Sequence, residues 1–259
     1  MPAVTVAVVI PVLDDAAELA ECLAALGRQT RVPEQIIVVD NGCRDESVSI
    51  AAAAGARVVF EPRRGIPAAV AAGYDACQAS VIARCDADTR VPPDWIERIA
   101  ARFETHPDLV GLTGPGRFVD MPAAAGRLAW AFYAAGYFGA AGAAGANVPL
   151  WGSNMALRTS AWRQVAPRVH RSDPGVHDDL DLSLALGPTA RIDFDPALRV
   201  GVRGRMFHSW AASRHRFVLA ARTLRLGWAW AGPGQRWLAR WTGRRRPAGL
   251  PRPASHRKR

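Results

Sequence analysis

Lysine occurs once in this 259-residue chain, at Lys258, and no aspartate or glutamate follows Asp195. Arginine therefore supplies nearly all the positive charge, a bias that first of all reads as genome composition alongside the abundant alanine. The missing acid places the net charge of +10 in the C-terminal quarter, which holds Arg199, Arg203, Arg205, Arg214, Arg216, Arg222 and Arg225. A block of that kind faces nucleic acid, anionic lipid or a phosphorylated substrate. Cysteine is also scarce: Cys22, Cys43, Cys77 and Cys85 show no C-x-x-C spacing, which argues against a zinc site and for reduced thiols. No basic stretch precedes the apolar residues 4–10 and acids follow them at once, so no signal peptide is read and a cytoplasmic chain is expected. An apolar fraction of 49% excludes a disordered chain and leaves room for one large α/β domain with an appended tail.

Residues 4–10 form a continuous, β-branched apolar run, the pattern of a strand buried on both faces. Asp15 and Glu18 read as a capping box, with Leu19, Leu23 and Leu26 on one helical face behind it. Residues 36–39, 58–60 and 81–85 read as further strands; Asp45 opens an Ala-rich helix, and residues 66–78 read as another with Pro67 in its first turn. Strand and helix alternate at crossover spacing, which implies a mainly parallel, doubly wound sheet. Ligands bind beyond the carboxyl ends of such strands. Acids gather there: Asp14 and Asp15 after the first strand, Asp40 after the second, Asp86 and Asp88 after the fourth. Asp86 and Asp88 are expected to project the same way from a strand end, an arrangement suited to a hard divalent cation that keeps positions open for phosphate oxygens.

The second half is less regular. Residues 128–148 are long enough to suggest a membrane span, but Ala and Gly bury little apolar area and Pro122 and Pro149 flank the run, so a surface or membrane-facing helix is expected. Residues 206–230 mix Arg with Trp, Phe and Leu as an interfacial amphipathic helix does. The division expected is a catalytic domain over 1–205, a helical extension over 206–232 and a basic, loosely ordered tail over 233–259.

The segments Val8-Val9-Ile10-Pro11 with Asp14-Asp15, Val38-Val39-Asp40-Asn41-Gly42-Cys43-Arg44-Asp45 and Asp86-Ala87-Asp88 together resemble the nucleotide-sugar-binding half of family 2 glycosyltransferases. Gly152-Ser153-Asn154-Met155-Ala156-Leu157-Arg158 resembles that family's acceptor-side segment, and His177-Asp178-Asp179-Leu180-Asp181 its base motif, with Asp178 where Glu is usual. The resemblance spans roughly residues 4–205. It implies a GT-A fold, a Rossmann-like mainly parallel sheet flanked by helices, with a nucleotide-sugar donor (UDP-, GDP- or dTDP-linked), Mg²⁺ or Mn²⁺, and inversion at the anomeric carbon. It also implies roles. Pro11, Asp15, Asp40, Arg64 and Asp86 would lie on the donor side, Asp40 at the base or ribose and Asp86 beside ribose and metal. Asp88 would be the direct metal ligand. Asp179 would be the catalytic base, and Gly152, Ser153, Asn154, Asp178 and Asp181 would contact the acceptor. Ile66, Ala71, Val12 and Leu13 depart from the family pattern and leave the nucleotide and sugar open.

Each assignment has a plainer counterpart. Asp-x-Asp occurs in surface turns, and Asp178, Asp179 and Asp181 could simply be a helix start; mutual repulsion there would raise at least one carboxylate pKa, which suits a base. Arg63 and Arg64 suit a diphosphate or are solvated loop residues. Asn154 meets an acceptor or closes a turn. His177 and His208 meet the site or are structural, and Trp151 stacks on a sugar or fills the core. The Trp-bearing basic end, with Trp228, Trp230, Trp237 and Trp241, fits an anionic membrane surface better than nucleic acid, for which no recognised module is present. The function expected is sugar transfer to an acceptor hydroxyl of a cell-envelope glycan or glycolipid precursor, carried out peripherally at the inner face of the plasma membrane. The alternatives are transfer to a polyprenyl phosphate, which needs no strong base, and a non-catalytic nucleotide-sugar-binding protein. A nucleotidyltransferase is disfavoured by the missing Gly-rich, Lys-bearing loop.

Overall fold

The computed structural model describes residues 3–205 and 209–243; the side chains of residues 210–212 are left aside. The expected sheet is present. Strands β1 (Val6–Val12), β2 (Gln35–Asp40), β3 (Arg57–Phe60) and β4 (Val81–Arg84) alternate with helices α1 (Ala16–Leu26), α2 (Ser47–Ala53) and α3 (Ile66–Ala76). After α4 (Trp95–Thr105) come β5 (Gly111–Thr113), β6 (Gly116–Phe118), α5 (Ala123–Ala134), a π-helical stretch Ala135–Ala141 and α6 (Gly142–Gly145). Then follow β7 (Met155–Arg158), α7 (Thr159–Val165), α8 (Asp178–Leu186), β8 (Ile192–Phe194), β9 (Val200–Val202), α9 (Trp210–Trp230) and α10 (Pro233–Thr242).

The main sheet runs β3-β2-β1-β4-β7-β5-β8. Its first four strands are parallel, and β7 runs antiparallel to both neighbours. Strand β1 is buried on both faces, which is why its apolar run does not alternate. Val6, Val8 and Ile10 join Leu19, Leu23, Trp95 and Ile99 in one core, while Ala7 and Val9 join Ala69, Tyr74 and Leu157 in the other. Gly73 lets α3 approach: a Cβ there would meet Val9 Cγ1 at 2.4 Å and Val39 Cγ2 at 2.8 Å.

Three local expectations are corrected. The Asp15 side chain does not cap α1; the Ala16 N–H is taken by Asp45 at 2.9 Å, whose other oxygen accepts from Ser47 N at 3.0 Å at the start of α2. One carboxylate thus serves two helix starts, and Asp15 is released toward the sheet edge. Second, β4 stops at Arg84, so Asp86 and Asp88 sit in a turn closed by Thr89 N to Asp86 O (3.0 Å) and not on an extended strand end. Third, residues 233–242 are helical where a loose tail was expected, because Arg236 is buried and donates to Ala231 O (3.1 Å), Leu184 O (3.0 Å) and Gly145 O (3.4 Å). Residues 244–259 lie outside the described residues. Residues 128–148 fall within α5, the π-helical stretch and α6; among the described residues no helix is long and apolar enough to cross a membrane.

Strand β1 lies between β2 and β4, so the strand order reverses beside it, and the crevice at its carboxyl end is where such a sheet binds ligand. A second, two-stranded parallel sheet of β6 and β9 brings Phe118 and Val202 to the same edge, and the backbone pairing of Arg90 with Gly201 ties it down.

Candidate active site

A cavity of about 360 Å³ opens at that edge. Pro11 to Leu13 and Asp15 reach it from the end of β1, Asn41 from β2, Gly65 and Ile66 from the start of α3, and Asp86 to Asp88 from the turn after β4. Phe118, Tyr133, Trp151 and Ser153 form the opposite side, with Val202, Arg203, Arg205 and Arg216 from the C-terminal segments. Of the residues expected in the site, Pro11, Asp15, Asp86, Asp88 and Ser153 meet here.

The carboxylates crowd together. Burial, then the charge of Asp86, pushes Asp88 up to about 6 against the opposing Arg205; Asp15 and Glu18 add to the rise. Arg205 supplies the compensating cation, with Nη2 2.9 Å from Asp15 and Nε 3.3 Å from Asp88. Arg203 pairs with Glu18 at 2.6 Å. Half-buried carboxylates that lie together and hold a guanidinium fit a divalent cation by donor type, since all offer hard oxygen. Asp88 and Asp86 are the pair that would hold it.

Asp86 has a fixed setting. Its Oδ1 accepts from Arg84 Nη2 at 3.2 Å and its Oδ2 from Ser153 Oγ at 2.6 Å. Arg84 is 3% exposed and its other amino group pairs with Asp178. Its guanidinium lies against Gly152, where a Cβ would stand 2.7 Å from Cζ and would force the guanidinium to shift from its paired position. Gly152 N in turn donates to Asp179 Oδ2 at 2.7 Å.

The two acids at the start of α8 therefore differ in role. Burial raises Asp178, even against the charge of Arg84. Burial would raise Asp179 as well, but the charge and hydrogen bond of His177 and the charge of Arg84 outweigh it and hold this carboxyl well below its ordinary range. Its Oδ1 accepts from His177 Nδ1 at 2.5 Å, and burial's downward pull on His177 is overcome by Asp179, which raises it. The raised carboxylate is thus Asp178, not the residue expected as base, and neither acid lines the cavity. Asp181 accepts from His170 N at 2.7 Å and Nδ1 at 2.8 Å, holding the backbone.

Other expected residues are held by hydrogen bonds within the protein. Asp40 Oδ1 accepts from Gly42 N (2.9 Å) and Cys43 N (2.7 Å), closing its own turn, while its neighbour Asn41 lines the cavity and accepts from Gly65 N at 2.8 Å. Arg64 donates to Gly42 O at 3.0 Å, and Arg63 pairs with Glu61 at 2.9 Å. Asn154 is fully buried between Trp95 Nε1 (2.9 Å) and Leu198 O (2.6 Å). Trp151 lines the cavity and packs on Trp130 at 5.1 Å. His208 lies outside the described residues. Sequence reasoning missed Arg84, Asn41, Phe118 and Tyr133. Arg84 carried a signal all the same, being the one charge in the apolar run before Asp86.

Comparison with known proteins agrees with this geometry. The sequence model described as glycosyl transferase family 2 matches residues 7–160. An undecaprenyl-phosphate 4-deoxy-4-formamido-L-arabinose transferase of Pseudomonas fluorescens is 37% identical over 116 residues, covering 41% of this chain and 34% of that protein. An uncharacterized glycosyltransferase of Mycobacterium tuberculosis is 36% identical over 105 residues, 40% of this chain and 46% of that protein. The chain thus spans between a third and a half of these relatives' lengths. Among solved structures, a mannosyltransferase of Pyrobaculum calidifontis in complex with GDP-Man and Mn²⁺ superposes with a TM-score of 0.66 at 17% identity, over 92% of this chain and 69% of that one. A glucosyl-3-phosphoglycerate synthase of Mycobacterium tuberculosis with Mn²⁺ and UDP-Glc gives 0.61 at 20% identity, over 86% and 79%. The fold is the GT-A arrangement that the motifs implied. With a family match over more than half its length, laid across the strand ends that build this cavity, the chain belongs to glycosyl transferase family 2.

Proposed function

We propose that this chain moves a sugar from a nucleotide-sugar donor to a cell-envelope acceptor, with inversion at the anomeric carbon. The observation that carries the reading is the convergence of Asp86 and Asp88 with Asp15 and Asn41 in one cavity at the switch point of the sheet. The solved relatives bind GDP-Man or UDP-Glc together with Mn²⁺ on the same fold, which supports a nucleotide-sugar donor and Mg²⁺ or Mn²⁺ here.

Asp88, assisted by Asp86, would hold the cation, which when bound neutralises charge growing on the departing nucleoside diphosphate. The chain's own residues set the rest. Asn41 orders the β2 and α3 loops around the donor, with Pro11 and Asp15 beside it. Arg205 offers a cation to the diphosphate from the C-terminal side. Asp179 is read as a positioning residue, acting through the Gly152 N–H on the segment that carries Ser153. The P. fluorescens relative's undecaprenyl-phosphate substrate supports an envelope acceptor and work at the inner face of the plasma membrane.

The test is donor turnover over UDP-, GDP- and dTDP-sugars with Mn²⁺, wild type beside Asp88→Ala. The expected result is slow hydrolysis of one donor, releasing nucleoside diphosphate, and a loss of about a hundredfold or more in the variant. Nucleotide binding without turnover of any donor would leave a binding protein in place of an enzyme.

A further inference from the structure

Arg84 is a buried cation at the end of β4, a strand that is otherwise apolar. Its guanidinium is divided between two carboxylates far apart in the chain: Asp86, with Nη2 3.2 Å from Oδ1, in the turn after β4, and Asp178 at the start of α8. Resting on the reading that Asp86 and Asp88 hold a divalent cation, we propose that Arg84 is a positioning residue for that cation, and that Asp178, which shares the guanidinium, tunes the grip from outside the cavity.

Stability alone does not account for Arg84. A buried ion pair returns little net stability, because taking its charges out of water offsets their attraction, and apolar side chains of similar volume would fill the same space as well. Arg84 also leaves its Nε buried with no hydrogen-bond partner among the described residues, a cost that a packing role would not call for. What a guanidinium adds is direction, since one planar fork fixes two carboxylates at a set spacing. Asp86 shows the result. Its Oδ1 is held by Arg84 and its Oδ2 accepts from Ser153 Oγ at 2.6 Å, so the side chain keeps one orientation. The chain from Ser153 runs straight into β7, where Met155 pairs with Arg84 across the sheet, and the guanidinium packs on Gly152. Arg84 therefore touches the cation turn, the Gly152-Ser153 segment and α8 at once.

Asp178 does not line the cavity, yet it governs how much of the guanidinium charge falls on Asp86. While Arg84 is shared, Asp86 keeps negative charge to offer a cation. Without the Asp178 carboxylate, the whole positive charge falls on Asp86 and competes with the cation. Asp179 cannot take over that part, because its oxygens are given to Gly152 N and His177. Residues behind a metal ligand change affinity by about 10–100-fold when they are altered.

The experiment reads cation binding and not turnover. The full chain is titrated with Mn²⁺ alone and with UDP or GDP present, and the free ion is followed by electron paramagnetic resonance. Asp88→Ala identifies the site by losing it. Asp178→Asn should raise the Mn²⁺ Kd about tenfold. Asp181→Asn removes a charge from the same helix whose oxygens are taken by His170, and should change Kd less than about twofold. Arg84→Lys keeps the charge but not the fork. It should raise Kd about tenfold by itself, and adding Asp178→Asn to it should cost less than about twofold more. Because the charge at position 84 is the same in both backgrounds, the plain field of Asp178 cancels in that comparison. An unchanged Kd in Asp178→Asn, an equal loss in Asp181→Asn, or the same factor for Asp178→Asn in both backgrounds overturns the proposal while leaving the cation reading intact. If Arg84→Lys does not fold, the contrast between Asp178→Asn and Asp181→Asn decides alone. A wild type that binds no Mn²⁺ in either condition removes the cation reading and this inference with it.

Discussion

Arg84 shows how one buried charge organises its surroundings. It pairs with Asp86 on the donor side and Asp178 at the start of α8, and lies flat against Gly152. Removing one partner of a buried pair leaves an uncompensated charge, so Arg84→Met should cost about 3–5 kcal/mol in denaturant unfolding. Adding Asp178→Asn should return part of that, because fewer buried charges then lack a partner. Gly152→Ala should cost about 1–3 kcal/mol by overpacking, since the new methyl would stand 2.7 Å from the guanidinium carbon. The same variant should also slow donor turnover by displacing Ser153 from Asp86, and equilibrium unfolding beside kinetics would separate the two effects. Asp86 and Asp88 were legible as a pair from their spacing alone. Their partners were not, because Ser153 and Arg205 lie 67 and 117 positions away from them in the chain and only the fold supplies the pairing.

At the scale of elements, α8 and α10 carry the instructive differences. The start of α8 holds an ion pair whose stability depends on pH. The folded pKa of His177 is raised above its unfolded value near 6.5, so its contribution is complete below that value and is lost as pH rises through the folded pKa. Asp179 is lowered, so its contribution is present above its unfolded value near 3.8 and is lost as pH falls through the folded one. Between these limits both act. Melting temperature should therefore fall as pH rises from about 6 into the alkaline range, and His177→Gln should flatten that slope; an equal slope in both proteins would show that the pair does not set it. Helix α10 was read as loose tail because its composition is rich in Arg, Pro and Gly. What orders it is Arg236, buried among the carbonyls of Gly145, Leu184 and Ala231. Arg236→Met should leave those oxygens unpaired and cost about 2–3 kcal/mol, read by chemical unfolding.

On the scale of the whole molecule, the asymmetry of charge becomes an asymmetry of surface. On α9, Arg214, Phe217, Val218 and Arg225 are exposed on one stripe, and on α10 Leu238 and Trp241 are exposed. Arg and large apolar side chains side by side suit an anionic lipid surface. The full chain should bind vesicles containing phosphatidylglycerol, weaken as salt rises, and bind phosphatidylcholine vesicles little. Phe217→Asp combined with Trp241→Asp should lower binding about tenfold or more, each change removing apolar contact and adding repulsion; unchanged binding would place the contact elsewhere.

The sheet and its ligand-binding edge are legible in the chain, because a buried parallel strand is written locally, as a β-branched run followed by a polar turn. So is the family, since the motifs keep their order along residues 4–205 and that order dictates which strand ends carry which acids. Tertiary structure decided how those acids are used. Asp40 turned to its own loop, Asn154 into the core and Asp179 behind Gly152, while Arg205 and Arg216 came from beyond Asp195 to face the cavity. A carboxylate's role depends on which cations and donors reach it and on how much water it keeps. Both are set by contacts between segments far apart in the chain, where no local pattern records them.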